Sequence, residues 1–88
     1  MADVETLPNI GKELGQRLRK VGIETSEELR KVGDAAAFLR MRADLPEDAC
    51  THTRLALAGA VRGVRWQSLD KTLREALTRE FKTGNPLP

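Results

Sequence analysis

Apolar residues in this chain return every third or fourth position, and each such run is soon cut by a glycine, a proline or a side chain suited to capping a helix. That spacing matches the 3.6-residue turn of an α-helix, and nowhere do β-branched residues gather into the strict alternation that a half-buried strand requires. The chain is therefore expected to be all-α, a compact bundle of five helices, most of them short. Its 88 residues suffice for one core and not two. The expectation is a single domain over residues 1–88, with an ordered core over about 7–82 and a frayed tail over 83–88. No repeat of solenoid type and no low-complexity linker argues for dividing it.

The first helix is expected over about residues 11–21, where Ile10, Leu14, Leu18 and Val21 draw one apolar stripe and Gly22 ends the run. Thr25-Ser26-Glu27-Glu28 has the form of a capping box opening a second helix, with Leu29 and Val32 as its buried side. Gly33 closes it, and Asp34 is read as the cap of a third helix over about 35–42, with Phe38 and Leu39 inward and Arg40 and Arg42 outward. Leu45-Pro46-Glu47-Asp48 opens the longest helix, which ends near residue 62. Its expected inner side is Ala49, Cys50, Thr53, Leu57, Ala60, Val61 and Val64. Ala56, Gly59, Ala60 and Gly63 form a strip of small residues against which another helix can pack closely. The last helix, about 70–82, repeats Leu73, Leu77 and Phe81, with Ala76 widening the stripe, and Trp66 is expected to plug the core between the last two helices.

Several functional classes drop out on composition. No apolar run approaches the roughly 20 residues of a bilayer span. The start, with two acids and no apolar stretch, is neither a secretory signal nor a transit peptide, so a cytoplasmic location is expected. Cys50 and His52 are the only residues of their kinds, which excludes an intrachain disulfide and leaves no structural zinc site. Cys50 reads as core and His52 as a solvated or hydrogen-bonded side chain. Glu27-Glu28 and Glu47-Asp48 are explained by the helix dipole, so no catalytic constellation remains; no enzyme, metal, cofactor or small-molecule substrate is expected. A net charge of +2 is too weak to announce a nucleic-acid partner, so distribution matters more than sum. Lys12, Arg17, Arg19 and Lys20 share one stretch in which Glu13 is the only acid, and Arg62 and Arg65 form a second basic spot. Either cluster is also what an ordinary solvated helix face looks like.

The most specific string is Leu7-Pro8-Asn9-Ile10-Gly11-Lys12, followed by Gly15 and then by Gly22-Ile23-Glu24-Thr25. Pro8 fixes a turn, Asn9 tolerates positive φ, and Gly11 brings the backbone into a helix at close approach to whatever lies outside. Free amides there, with Lys12 beside them, describe a site for a nucleic-acid phosphate. The string resembles the helix-hairpin-helix turn, usually Pro-Gly-Ile-Gly, within a SAM-like arrangement. It departs from that pattern at Asn9, and the six residues before Leu7 cannot supply a full leading helix. Two readings stay open: a phosphate-facing turn, or a staple that holds the first helix against the core.

From Leu7 to about Phe81 the chain resembles the C-terminal domain of the TfoX competence regulators, as found in stand-alone small proteins. Leu-Pro-Asn-Ile-Gly, Val-Gly-Ile-Glu-Thr with Glu-Glu-Leu, Phe38-Leu39-Arg40, Leu57-Ala58-Gly59-Ala60 and Gly63-Val64-Arg65-Trp66 carry the resemblance in order and spacing. It implies a compact helical domain without the N-terminal domain of the full-length regulators, which take part in switching on competence genes. The expected function is a non-enzymatic accessory module whose Leu7–Lys12 turn contacts the backbone of double-stranded DNA through Asn9, Gly11, Lys12, Arg17, Lys20, Arg62 and Arg65. The alternative is an adaptor to a transcription regulator, or a homodimer, formed through the small-residue strip or an apolar edge left by the missing leading helix.

Overall fold

The computed structural model describes residues 2–82, with side chains up to residue 80. Five α-helices occur among them: α1 (Lys12–Lys20), α2 (Ser26–Val32), α3 (Asp34–Met41), α4 (Cys50–Arg62) and α5 (Lys71–Lys82). Single 3₁₀ turns precede α1 (Val4–Thr6), α4 (Glu47–Ala49) and α5 (Trp66–Ser68), and another, Arg42–Asp44, follows α3. The side chain of Phe81 and the tail over 83–88 lie outside the described residues.

The helix boundaries follow from local chemistry. After α1, Gly22 takes φ +85°, Ile23 N–H donates to Leu18 C=O at 2.9 Å and Gly22 N–H to Arg19 C=O at 3.1 Å, the paired bonds of a Schellman stop. The capping box is present: Thr25 Oγ1 accepts from Glu28 N–H at 3.1 Å, and Glu28 Oε1 accepts from Thr25 N–H at 3.1 Å and Glu24 N–H at 2.9 Å. Gly33, not Asp34, is the cap residue of α3; at φ +90° it lets α2 and α3 follow one another without a loop. Asp34 is instead the first residue of α3, and its carboxylate is engaged by an arginine of α4.

The core begins before Leu7. Val4 is fully buried, and Asp3 pairs with Thr25 in an isolated antiparallel bridge, with Val4 N–H on Glu24 C=O at 3.0 Å. Arg19 of α1 clamps this segment through Asp3 (2.9 Å) and Glu5 (2.7 Å). Gly15 makes room for it: a Cβ there would stand 2.6 Å from Glu5 Cγ. A single 3₁₀ turn thus occupies the place expected to be an open apolar edge, because Val4 and Leu7 fill it.

α4 is the hub. Every residue over 53–60 is buried, so the helix has no outer face there. One core cluster joins Leu57 and Ala60 to Leu18, Ile23, Leu29, Phe38 and Met41; a second joins Leu55 and Ala58 to Leu69 and Leu77, with Trp66 and Leu73 packed against it. The wider burial corrects three expectations. Leu39 is 63% exposed, because Ala37, Phe38 and Met41 form the inner face of α3 and Leu39 turns away from it. Ala76 is exposed on α5. Most of the small-residue strip, Ala56, Gly59 and Ala60, is enclosed within the domain and offers no surface to a second subunit. Cys50 is core, its thiol donating to Pro46 C=O at 3.6 Å.

Candidate functional site

The turn after Thr6 is fixed by an interior bolt. Leu7 and Ile10 are buried, and between them Asn9 takes φ +70°, a positive value unique among the described non-glycine residues. Asparagine tolerates this left-handed conformation better than other side-chain-bearing residues. Its amide points inward. Nδ2 donates to Val64 C=O at 3.0 Å and Ala56 C=O at 3.3 Å, while Oδ1 accepts from Trp66 N–H at 3.0 Å. Gly59 creates the space: a Cβ on it would stand 2.6 Å from Asn9 Nδ2 and 2.7 Å from Val64 O. The staple reading therefore describes Leu7, Asn9 and Ile10, and any ligand-facing role of Asn9 falls to its backbone.

Outside the bolt the chain is open. Gly11 is extended and exposed, no side chain caps α1, and nothing lies within 4 Å of where a Gly11 Cβ would be. The first amides of α1 lack intrahelical partners by the geometry of any helix start. They border a cleft of about 390 Å³ between α1 and the start of α4, lined by Asn9, Gly11, Lys12, Arg17, His52 and Thr53, among others. His52 is exposed, its ring perpendicular to that of Trp66 with centroids 5.6 Å apart.

Not all the expected site residues gather here. Asn9, Gly11, Lys12 and Arg17 line the one cleft. Arg65 is exposed and sits one residue before Trp66, whose N–H is held by Asn9, so it belongs to the same end of the molecule. Lys20 is exposed at the far end of α1, about 12 Å along the helix from Lys12 by the 1.5 Å rise per residue. Arg62 faces elsewhere: its guanidinium donates to Ala58 C=O at 2.9 Å and lies 3.7 Å from Asp34. Arg17 also has internal partners, Asp44 C=O at 2.7 Å and Glu13 at 3.4 Å. The basic stretch of α1 is thus more balanced than its sequence implies, since Asp3 and Glu5 also neutralise Arg19.

One ion cluster was not anticipated. Arg54, only 8% exposed, meets Asp34 at 2.5 Å, with Arg62 beyond. Burial pushes the Asp34 carboxyl up, but the hydrogen bond and charge of Arg54, helped by its own backbone amide and Arg62, outweigh this and hold it below the ordinary carboxylate value. The pair ties α3 to α4.

The sequence matches the family model described as the TfoX C-terminal domain over residues 1–81. The chain belongs to that family. The TfoX C-terminal domain is a regulatory, non-catalytic domain, so this chain is a non-enzymatic accessory domain. Among the described residues no cluster of three or more His, Cys, Asp or Glu could hold a metal ion, and no helix is long and apolar enough to cross a membrane. Two crystal structures of Listeria monocytogenes are similar. An uncharacterised protein in a triclinic form is 41% identical, with a TM-score of 0.83 over 93% of this chain and 92% of that one. A protein of unknown function in a tetragonal form is 40% identical, with a TM-score of 0.81 over 94% of this chain and 100% of that one. No curated protein matches the sequence significantly.

Proposed function

We propose that this TfoX C-terminal domain is an accessory module of transcription and competence regulation that rests on the phosphate backbone of duplex DNA through its Leu7–Lys12 turn. One observation carries the reading: Asn9 locks the turn from inside, while Gly11 and the first residues of α1, with no side-chain cap, line an open cleft together with Lys12. A rigid turn loses little freedom on binding, and partial positive charge at a helix start favours an anion. Lys12, Arg17 and Arg65 supply the fixed charges at this end, with Lys20 further along α1 able to follow the backbone. Such contacts position without reading bases. Few phosphates are neutralised, so affinity falls with salt with a slope of about −0.9 per phosphate contact.

The test is binding of a fluorescent duplex at two salt concentrations, comparing the natural chain with a Lys12→Glu, Arg65→Glu variant. Among the described residues neither side chain makes a hydrogen bond or ion pair, so helix content is expected to be unchanged. Salt-sensitive binding that disappears in the variant is the expected result; no binding at low salt overturns the proposal. The adaptor reading retains one observation in its favour, the exposed Leu39 on α3 flanked by exposed Ala35, Ala36 and Ala43. Dimerisation through the small-residue strip has lost its surface.

A further inference from the structure

A second concavity is lined by Trp66. The space between α4 and α5 forms a groove of about 520 Å³ whose apolar floor includes Leu55 and Trp66. Its wall is one face of α5, residues 71, 74, 75, 78 and 79, which share a side at helical spacing. That face holds Lys71, Arg74 and Arg79 against the single acid Glu75, an imbalance that contrasts with the nearly even charge of the whole chain. Arg74 is steadied there by its Nε–H, which donates to Leu69 C=O at 3.1 Å.

We infer that this groove docks an acidic, amphipathic peptide segment of a partner protein, laying one or two bulky apolar side chains on Leu55 and Trp66 while its carboxylates meet Lys71 and Arg74. The charge fixes the sign of the occupant, and the apolar floor requires more than charge alone. A volume of this size falls within the 300–1,000 Å³ typical of ligand clefts. The phosphodiester backbone of a duplex has nothing apolar to place on the floor. A single nucleic-acid strand needs an aromatic platform open on its face, whereas the Trp66 ring is half-buried against the second core cluster with the His52 ring perpendicular to it. The groove is lined by none of the residues of the Asn9 turn, so the inference stands independently of the DNA reading.

Trp66 is the only tryptophan of the chain and lines the groove, so its fluorescence reports occupancy directly. The probe is a synthetic peptide about three helical turns long, rich in Glu, with Leu at helical spacing on one face; its control has Ser for each Leu at unchanged charge. Saturable binding of the Leu peptide is expected, at least about tenfold tighter than the Ser control. Lys71→Glu should weaken it by about five- to tenfold, and Glu75→Lys should tighten it by a similar factor, as exposed ion pairs allow. The gain in Glu75→Lys cannot come from misfolding. Lys12→Glu should leave peptide binding unchanged while reducing duplex binding. The inference is overturned by absence of peptide binding, by equal affinity for the Leu and Ser peptides, by indifference to both charge changes, or by tighter binding of a single-stranded oligothymidylate than of the peptide.

Discussion

Replacing Asn9 separates two contributions that coincide in the natural chain. Asn9→Gly keeps the left-handed turn at no steric cost and removes three hydrogen bonds, to Val64, Ala56 and Trp66. At roughly 0.5–1.5 kcal/mol net for each bond, with Ala56 C=O the longest and weakest, the expected loss is about 2–3 kcal/mol. Asn9→Ala loses the same bonds and keeps the Cβ at φ +70° that glycine lacks, so it should cost about 1 kcal/mol more than glycine. Asn9→Asp keeps an acceptor for Trp66 N–H but sets a second carboxylate oxygen against two carbonyl oxygens. It should therefore cost at least as much as alanine at neutral pH and recover part of that loss as the carboxyl takes up a proton. Against a total of roughly 4–13 kcal/mol for a domain of this size, the glycine variant should lower Tm by about 10–20 °C. Urea unfolding followed by Trp66 fluorescence and by helical circular dichroism supplies the assay. A glycine variant within about 0.5 kcal/mol of the natural protein would refute the bolt. Equal losses for glycine and alanine would refute the strain argument.

Two further outcomes test the interior ion cluster. Arg54→Met should cost about 3 kcal/mol, the lower end for a broken buried pair because Arg62 remains 3.7 Å from Asp34; a loss below about 1 kcal/mol in urea unfolding would show that the pair does not tie α3 to α4. Asp3, Glu27, Glu28 and Asp34 are all held below their ordinary carboxylate values, by backbone and side-chain hydrogen bonds at the first three and by Arg54 against burial at Asp34. Folding therefore favours their ionised forms, and the stability this adds is complete above about pH 5 and lost as pH falls through 4 and below. Tm should fall between pH 5 and about pH 3, less so in Asp34→Asn; a flat profile would contradict the assignment.

The succession of helices was legible because its signals are local. Gly22, Thr25, Gly33 and Pro46 each act on atoms within a few residues of themselves, and the helices begin and end accordingly. What the apolar periods could not show is how many sides of a helix are covered. α4 reads as one stripe when only Cys50, Thr53 and Leu57 are followed, yet the nearly unbroken run from Leu55 to Val61 is the pattern of a helix buried on every side. Arg54, immediately before that run, is buried as well, and the partner that permits its burial is 20 residues away, beyond the reach of any local pattern. The same distance problem hid the role of Asn9. Its backbone angle follows from the residue type and the turn, whereas its three partners lie 47 to 57 residues along the chain. The basic stretch of α1 lost part of its excess for the same reason, since the carboxylates of Asp3 and Glu5 reach it only in the folded chain.

Burial of α4 on all sides also explains where partners can act. A central helix with no outer face over 53–60 leaves recognition to the periphery, where one open concavity is lined by Asn9 and the other by Trp66. Gly63 turns the chain there at φ +75°, Val64 N–H returns to Gly59 C=O at 3.0 Å, and Trp66 follows with its N–H on Asn9 and its ring on the second core cluster. Asn9 thus positions the turn that faces one cleft and, through Trp66, part of the floor of the other. A smaller residue at position 9 would leave both surfaces chemically intact but less well held. Gly59 is the condition for this arrangement, because any side chain at that position would drive the amide of Asn9 from Val64 and detach the N-terminal turn from the junction.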